Sequence, residues 1–181
     1  MNWQLDPLLQ LVATGFVIMV LARAVVEKLS AYGIFVANLR DYRLLPDALA
    51  PVAAPTLLAA ELSATLCLLL PATSAVGAVI AASLFAVYAL AMAAVLLAGR
   101  HEIECGCGGE GQMVSGALVA RNGVLVAISA SILLPASNRA MSWSDTLVGL
   151  VAIFLVFLLL AIAEKTIGTF TTIRRLDSGS Q

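Results

Sequence analysis

The sequence predicts an all-α integral membrane protein, and three observations lead there. Of 181 residues, 61% are hydrophobic and only 12% are charged, whereas a soluble domain carries about 25% charged residues. Mean hydropathy is +1.01. Five stretches, roughly 8–28, 50–70, 75–98, 113–134 and 146–163, come close to the about 20 apolar residues that cross a bilayer. They read as one transmembrane bundle over residues 1–175, with a flexible polar tail at 176–181. The net charge of −1 and the scattered cations exclude a nucleic-acid footprint, which needs a concentrated basic face.

The first span contains Ala22-Arg23-Ala24, but no Lys or Arg lies in Met1 to Leu11 to make a signal-peptide n-region, so it is retained as a span. Residues 30–49 are polar enough to leave the lipid, and Pro46 and Pro51 oppose one unbroken helix. This link reads as a structured cap. Pro71-Ala72-Thr73-Ser74 is short enough to force spans two and three into an antiparallel hairpin. Residues 99–112 form the third link. The fourth, Pro135 to Asp145, carries Trp143, an interfacial anchor.

With five spans, the first and third links and the C-terminal tail share one face. That face holds Lys28, Arg40, Arg43, Arg100, Lys165, Arg174 and Arg175, and the other only Arg139. The positive-inside rule therefore makes it cytoplasmic.

The third link contains two of the three cysteines, beside the only histidine, in Ile103-Glu104-Cys105-Gly106-Cys107-Gly108-Gly109-Glu110-Gly111-Gln112. Cys105 and Cys107 precede the fourth span, where a helix N-terminus favours the thiolate that attacks disulfides. Glu102, Glu104 and Glu110 oppose this by raising thiol pKa values. Cys107 lies nearer the helix start. Thiols two residues apart close only a small bent ring, which the surrounding glycines permit and which predicts a readily reduced disulfide. A metal site of His101, Cys105, Cys107 and a carboxylate is a second reading, although His-x3-Cys-x-Cys is not a strong zinc signature. A plain glycine-rich turn is a third. Cys67, between Leu66 and Leu68, reads as a small packing residue.

Arg23, Glu61, Arg121 and Asn122 fall within apolar spans, where ionisable groups face the interior and need partners. Glu61 and Arg121 lie near the middle of their spans and are expected to pair across the bundle, forming with Asn122 a polar floor that either binds a quinone or fixes helix register. Arg23 is expected to snorkel toward the surface with Lys28. Leu84, Tyr88 and Met92 share a helix face and read as packing or lipid contact; a quinone neighbour is a further use for Tyr88, but nothing in the sequence singles it out.

Glu27-Lys28-Leu29, Tyr42 with Leu44-Leu45-Pro46, Glu61, Cys105-Gly106-Cys107 and Arg121-Asn122 together resemble the methylamine utilisation protein MauE family, within a wider DoxX-like group, over about residues 8 to 165. The layout is also similar to vitamin K epoxide reductase, which implies a four-helix-bundle core plus one further helix. The MauE resemblance implies a role in maturing the disulfide-rich β-subunit of periplasmic methylamine dehydrogenase, beside MauD, a thioredoxin-like partner. The second resemblance implies electron transfer from thiols to a membrane quinone. Cys-x-Cys here replaces Cys-x-x-Cys, and residues 30–49 hold no relay cysteine. The relay would fall to the thioredoxin-like partner.

The expected function is thus a thiol–disulfide oxidoreductase of the bacterial inner membrane. Its Cys105–Cys107 disulfide is redox-active, and its quinone site involves Glu61, Arg121 and Asn122. Disulfide formation belongs to oxidising compartments, so the cysteine loop is expected to face the periplasm, against the charge count. A non-enzymatic assembly scaffold and a metal-handling protein are the alternatives.

Overall fold

A computed structural model describes residues 4–99 and 113–178, with side chains through Thr166 and at Thr169. Six α-helices follow in order: α1 (Pro7–Ser30), α2 (Tyr32–Asp41), α3 (Ala50–Leu69), α4 (Ser74–Leu97), α5 (Gly116–Ser131) and α6 (Trp143–Ser178). The described residues contain no strand, so the all-helical expectation holds. Helices α1, α3, α4 and the Trp143–Thr166 part of α6 are long and apolar enough to cross a membrane.

Local chemistry sets the boundaries. Asp6 caps α1 by accepting a 2.8 Å hydrogen bond from the Leu8 amide, and Pro7 occupies a first-turn position whose N–H has no helical partner anyway. The link at 30–49 is chiefly helix α2, which ends where Arg43 turns to φ 49° while its amide bonds the Arg40 carbonyl at 2.9 Å. Pro46 then opens a short 3-10 turn, Asp47–Leu49, that leads into α3.

Two boundaries depart from expectation. Span four, expected at 113–134, is helical only over Gly116–Ser131. Its last residues tighten into i→i−3 bonds at Ile132, Leu133 and Leu134, because Pro135 disfavours helical backbone before it. Span five, expected at 146–163, begins at Trp143 and runs to Ser178. Ser142 and Asp145 start it with a reciprocal capping box, the Ser142 amide donating to Asp145 Oδ2 at 2.9 Å and the Asp145 amide to Ser142 Oγ at 3.3 Å.

Packing runs α6 on α1, α1 on α3, α3 on α4 and α4 on α5, with α1 also touching α5. Four helices therefore close a ring, and α6 lies outside it against α1. Phe16, Val17 and Leu21 of α1, Ala64 and Leu68 of α3, Ala78, Ala81 and Phe85 of α4 and Leu125 of α5 fill the ring. In lipid the hydrophobic effect does not drive such contacts, so close approach of small residues and buried polar pairs must do so. Gly77 illustrates the first: a Cβ there would stand 2.7 Å from the Leu68 backbone nitrogen across the α3–α4 hairpin.

Opposite the cap, the Leu5 amide bonds the Pro135 carbonyl at 2.9 Å, the Ser137 amide returns to Leu5 at 2.8 Å, and Arg139 pairs with Asp6 at 3.2 Å and Asp145 at 3.5 Å. These contacts tie the start of α1 to the α5–α6 link. The chain direction puts α2, the start of α3, the end of α4 and the start of α5 together at the other end.

Candidate functional site

The polar residues inside the bundle form two clusters, both reached from α1. In the first, Lys28 of α1 and Glu61 of α3 are almost fully buried and pair directly, Nζ to Oε1. The Tyr88 hydroxyl of α4 donates to the same Oε1 at 2.7 Å. The Lys28 ammonium also stands 5.3 Å from the Phe35 ring centroid and 5.0 Å from that of Tyr88, close enough for cation–π attraction. The second carboxylate oxygen, Glu61 Oε2, is buried and has no hydrogen-bond partner among the described residues. Burying these charges is costly and requires such pairing.

In the second cluster, buried Glu164 of α6 pairs with Arg23 of α1 at 2.9 Å and Arg121 of α5 at 2.6 Å, while Arg23 Nε also donates to Glu27 at 2.7 Å. The cavity beside it is only about 10 Å³, near the minimum for one water.

A larger opening adjoins the first cluster. A cleft of about 280 Å³ lies among Phe35, Asn38, Leu39 and Tyr42 of α2, Leu44 and Leu45 after it, Leu57 of α3, and Val87, Tyr88 and Ala91 of α4. Its walls are almost wholly apolar. The Phe35 and Tyr88 rings therefore separate the cleft from the Lys28 ammonium. A second packing group, Met92, Val114 and Leu118, backs Tyr42 and Tyr88.

The expected Glu61–Arg121 pair does not form. Each found a nearer countercharge, Lys28 for Glu61 and Glu164 for Arg121. Asn122 joins neither cluster through a described bond, its Nδ2 donating to the Leu118 carbonyl of its own helix at 2.9 Å. Arg23 does not simply snorkel with Lys28: it bridges two carboxylates, and Lys28 is buried. Leu84 and Met92 pack inward as expected, while Tyr88 on the same face is a hydrogen-bonding member of the site.

Cys105, Cys107 and His101 lie outside the described residues. Gly99 and Met113, which flank them, belong to the cap end of the bundle, whereas Cys67 is half-buried in the last turn of α3 at the opposite end. Among the described residues, no group of His, Cys, Asp and Glu is arranged to hold a metal.

Sequence reasoning missed Lys28, Tyr88, Glu27 and Glu164 as partners. Glu164 carries a readable signal, being the first acid after the apolar run 146–163 on a helix that continues past it. Lys28 and Glu27 looked like ordinary end-of-span charges.

Long apolar helices around a buried Lys–Glu–Tyr chain define the class as a multi-pass helical membrane protein. Residues 6–136 match the family of methylamine utilisation protein MauE. The chain belongs to that family. It is 39% identical over 158 residues to methylamine utilization protein MauE of Paracoccus versutus, covering 85% of this chain and 84% of that one. The same-named protein of Paracoccus denitrificans is 36% identical over 76% of this chain and 75% of its own length. That of Methylorubrum extorquens is 33% identical over 86% and 85% respectively. No solved structure gives a significant match.

Proposed function

We propose that the chain is a membrane thiol–disulfide oxidoreductase of methylamine utilisation, supporting disulfide formation in the methylamine dehydrogenase β-subunit through a MauD-like thioredoxin-fold partner. Two thiols of the partner or client become a disulfide, and the Cys105–Cys107 disulfide takes up the two electrons and two protons as a dithiol. A membrane quinone then reoxidises that dithiol and becomes hydroquinone.

One observation carries this reading: the ends of the cysteine loop, Gly99 and Met113, share one end of the bundle with the α2 cap and the cleft beside Tyr88. A loop for thiol exchange and a pocket for a lipid-soluble acceptor are then neighbours. The ring of four helices with α6 outside supports the four-helix core plus one helix implied by the resemblance to vitamin K epoxide reductase. Burial of Lys28 against Glu61 removes one cation from the positive-inside tally of the cysteine face, leaving six against one. The inner-membrane orientation with that face in the periplasm rests on the oxidising chemistry that disulfide formation needs, against the charge count.

The test is labelling of Cys105 and Cys107 in intact cells with a membrane-impermeant thiol reagent, in a Cys67→Ala background. Labelling only after reduction is expected. Free thiols reached only after the membrane is opened would overturn the reading and favour a scaffold. Stoichiometric metal lost on His101→Ala would favour metal handling.

A further inference from the structure

We infer that the cleft between α2, α3 and α4 is the binding site for the ring of a lipid-soluble quinone, with Tyr88, Glu61 and Lys28 forming the proton relay to that ring. The inference rests on the oxidoreductase reading for its electron source, but the site is argued from the structure.

The two polar clusters are not equivalent. The cavity beside Arg23 and Arg121, at about 10 Å³, cannot admit a ring. The cleft beside Tyr88, at about 280 Å³, approaches the lower end of the about 300–1,000 Å³ usual for small-molecule sites. Its rim includes Val87, 52% exposed on a membrane-spanning helix, and Leu44 and Leu45 at the cap. A ligand can therefore enter sideways from the lipid and leave a prenyl tail there.

Inside, the walls offer apolar surface and aromatic rings, with the Tyr88 hydroxyl leading on to Glu61 and Lys28. An acyl chain has no use for a buried acid–base chain, whose desolvation is costly. A quinone has two uses for it. Reduction puts negative charge on the ring oxygens, and the Lys28 ammonium lies just behind the Phe35 and Tyr88 rings. Reduction also requires protons.

The balance closes. Oxidation of the dithiol to a disulfide releases two electrons and two protons, and the quinone takes up both pairs to become hydroquinone. Tyr88 Oη delivers a proton to the ring oxygen and recovers one through Glu61 from Lys28, and the two protons released when the dithiol is oxidised restore the relay.

The test uses the full chain in phospholipid nanodiscs with a short-tailed azido-ubiquinone as photoprobe. Label is expected within residues 32–45 and 87–91, displaced by ubiquinone and lost in Ala91→Phe and Val87→Trp. Val87 is half exposed, so Val87→Trp narrows the cleft without overfilling the core. Tyr88→Phe should keep the label but lower kcat for dithiol-driven quinone reduction about a hundredfold, the scale of one general acid. Label beside Arg121, label unchanged in both narrowing variants, or displacement by added phospholipid but not by ubiquinone would overturn the assignment. Thiol-driven quinone reduction that all three variants leave intact would overturn it while sparing the oxidoreductase reading. Labelling of the cleft without any such reduction would uphold the site and sink that reading instead.

Discussion

The Tyr88 hydroxyl and the Lys28 ammonium converge on one atom, Oε1 of Glu61. Three helices, α1, α3 and α4, are thereby joined through a single buried carboxylate oxygen.

This convergence makes the three residues non-additive. Lys28→Met leaves a buried carboxylate without its cation and should cost about 3–5 kcal/mol, as breaking a buried ion pair generally does. Tyr88→Phe removes one hydrogen bond to a charged group, about 1.5–3 kcal/mol. The double variant Lys28→Met with Glu61→Gln removes both charges and should recover much of the first loss. Thermal unfolding of the protein in nanodiscs measures all three. A double variant no more stable than Lys28→Met would show that the pair is not the source of the penalty.

Glu164 plays the corresponding part for α6, which packs chiefly on α1. Because one carboxylate serves both Arg23 and Arg121, Glu164→Gln should destabilise more than Arg23→Met, since Arg23 also neutralises the partly exposed Glu27 rather than Glu164 alone. The expected penalty for Glu164→Gln is about 3–5 kcal/mol. Equal melting temperatures for the two variants would contradict this ranking.

Two helical glycines should respond in opposite directions to alanine. At Gly77 a Cβ would meet the Leu68 nitrogen at 2.7 Å and the Ala64 carbonyl oxygen at 3.0 Å, both backbone atoms that cannot rotate away. Gly77→Ala must push α3 and α4 apart and lower the melting temperature. At Gly123 nothing lies within 4 Å, so Gly123→Ala gains about 0.5–1 kcal/mol of helix preference at no steric cost. A Gly77→Ala variant that melts no lower than the parent would show that the hairpin contact is not tight, and a Gly123→Ala variant that melts lower would show that the space beside Gly123 is not open.

The helical class and the order of the apolar helices were legible because apolar runs of span length have few other uses, and the four-residue link Pro71 to Ser74 left the hairpin no alternative. The count of five spans was not, since four helices among the described residues are long and apolar enough to cross and Gly116–Ser131 is shorter. Boundaries were less so. The early start of α6 depends on the Ser142–Asp145 capping box, and the early end of α5 on Pro135. Buried charges were recognisable as charges needing partners, but partner choice depends on helix rotation, which a nearly uniform Ala, Leu and Val background does not encode. Lys28 shows this well: two residues before the end of α1, its position reads as surface, yet its long side chain turns inward to Glu61. The cleft was not legible at all, because it is made by the fold of α2 and the turn after Arg43 over α3 and α4.

That turn gives a further prediction. Arg43 holds φ 49° just after the end of α2, a left-handed conformation that costs a non-glycine residue roughly 1–2 kcal/mol. Arg43→Gly relieves that cost while keeping the bond from its amide to the Arg40 carbonyl. The variant should melt at a higher temperature than the parent. A lower melting temperature would mean that the arginine side chain contributes more than its backbone costs.

Cys67 provides the last prediction, through its position along the bundle. It lies 17 residues beyond Ala50 on α3, about 26 Å from the cap end at 1.5 Å per residue. The Thr73 hydroxyl bonds its carbonyl at 2.9 Å in the hairpin at the far end. Gly99 and Met113, the flanks of the cysteine loop, belong to the cap end. Disulfide geometry allows Cα atoms about 4.4–6.8 Å apart, so Cys67 is far from any position next to those flanks. Cys67→Ala should therefore leave oxidation of Cys105 and Cys107 unchanged, and peptide mapping under non-reducing conditions should find no link from Cys67 to either. A Cys67–Cys105 or Cys67–Cys107 bond within one chain would need nearly full extension, at about 3.3–3.6 Å per residue, of the chain between that cysteine and its nearer flank, and would overturn this prediction.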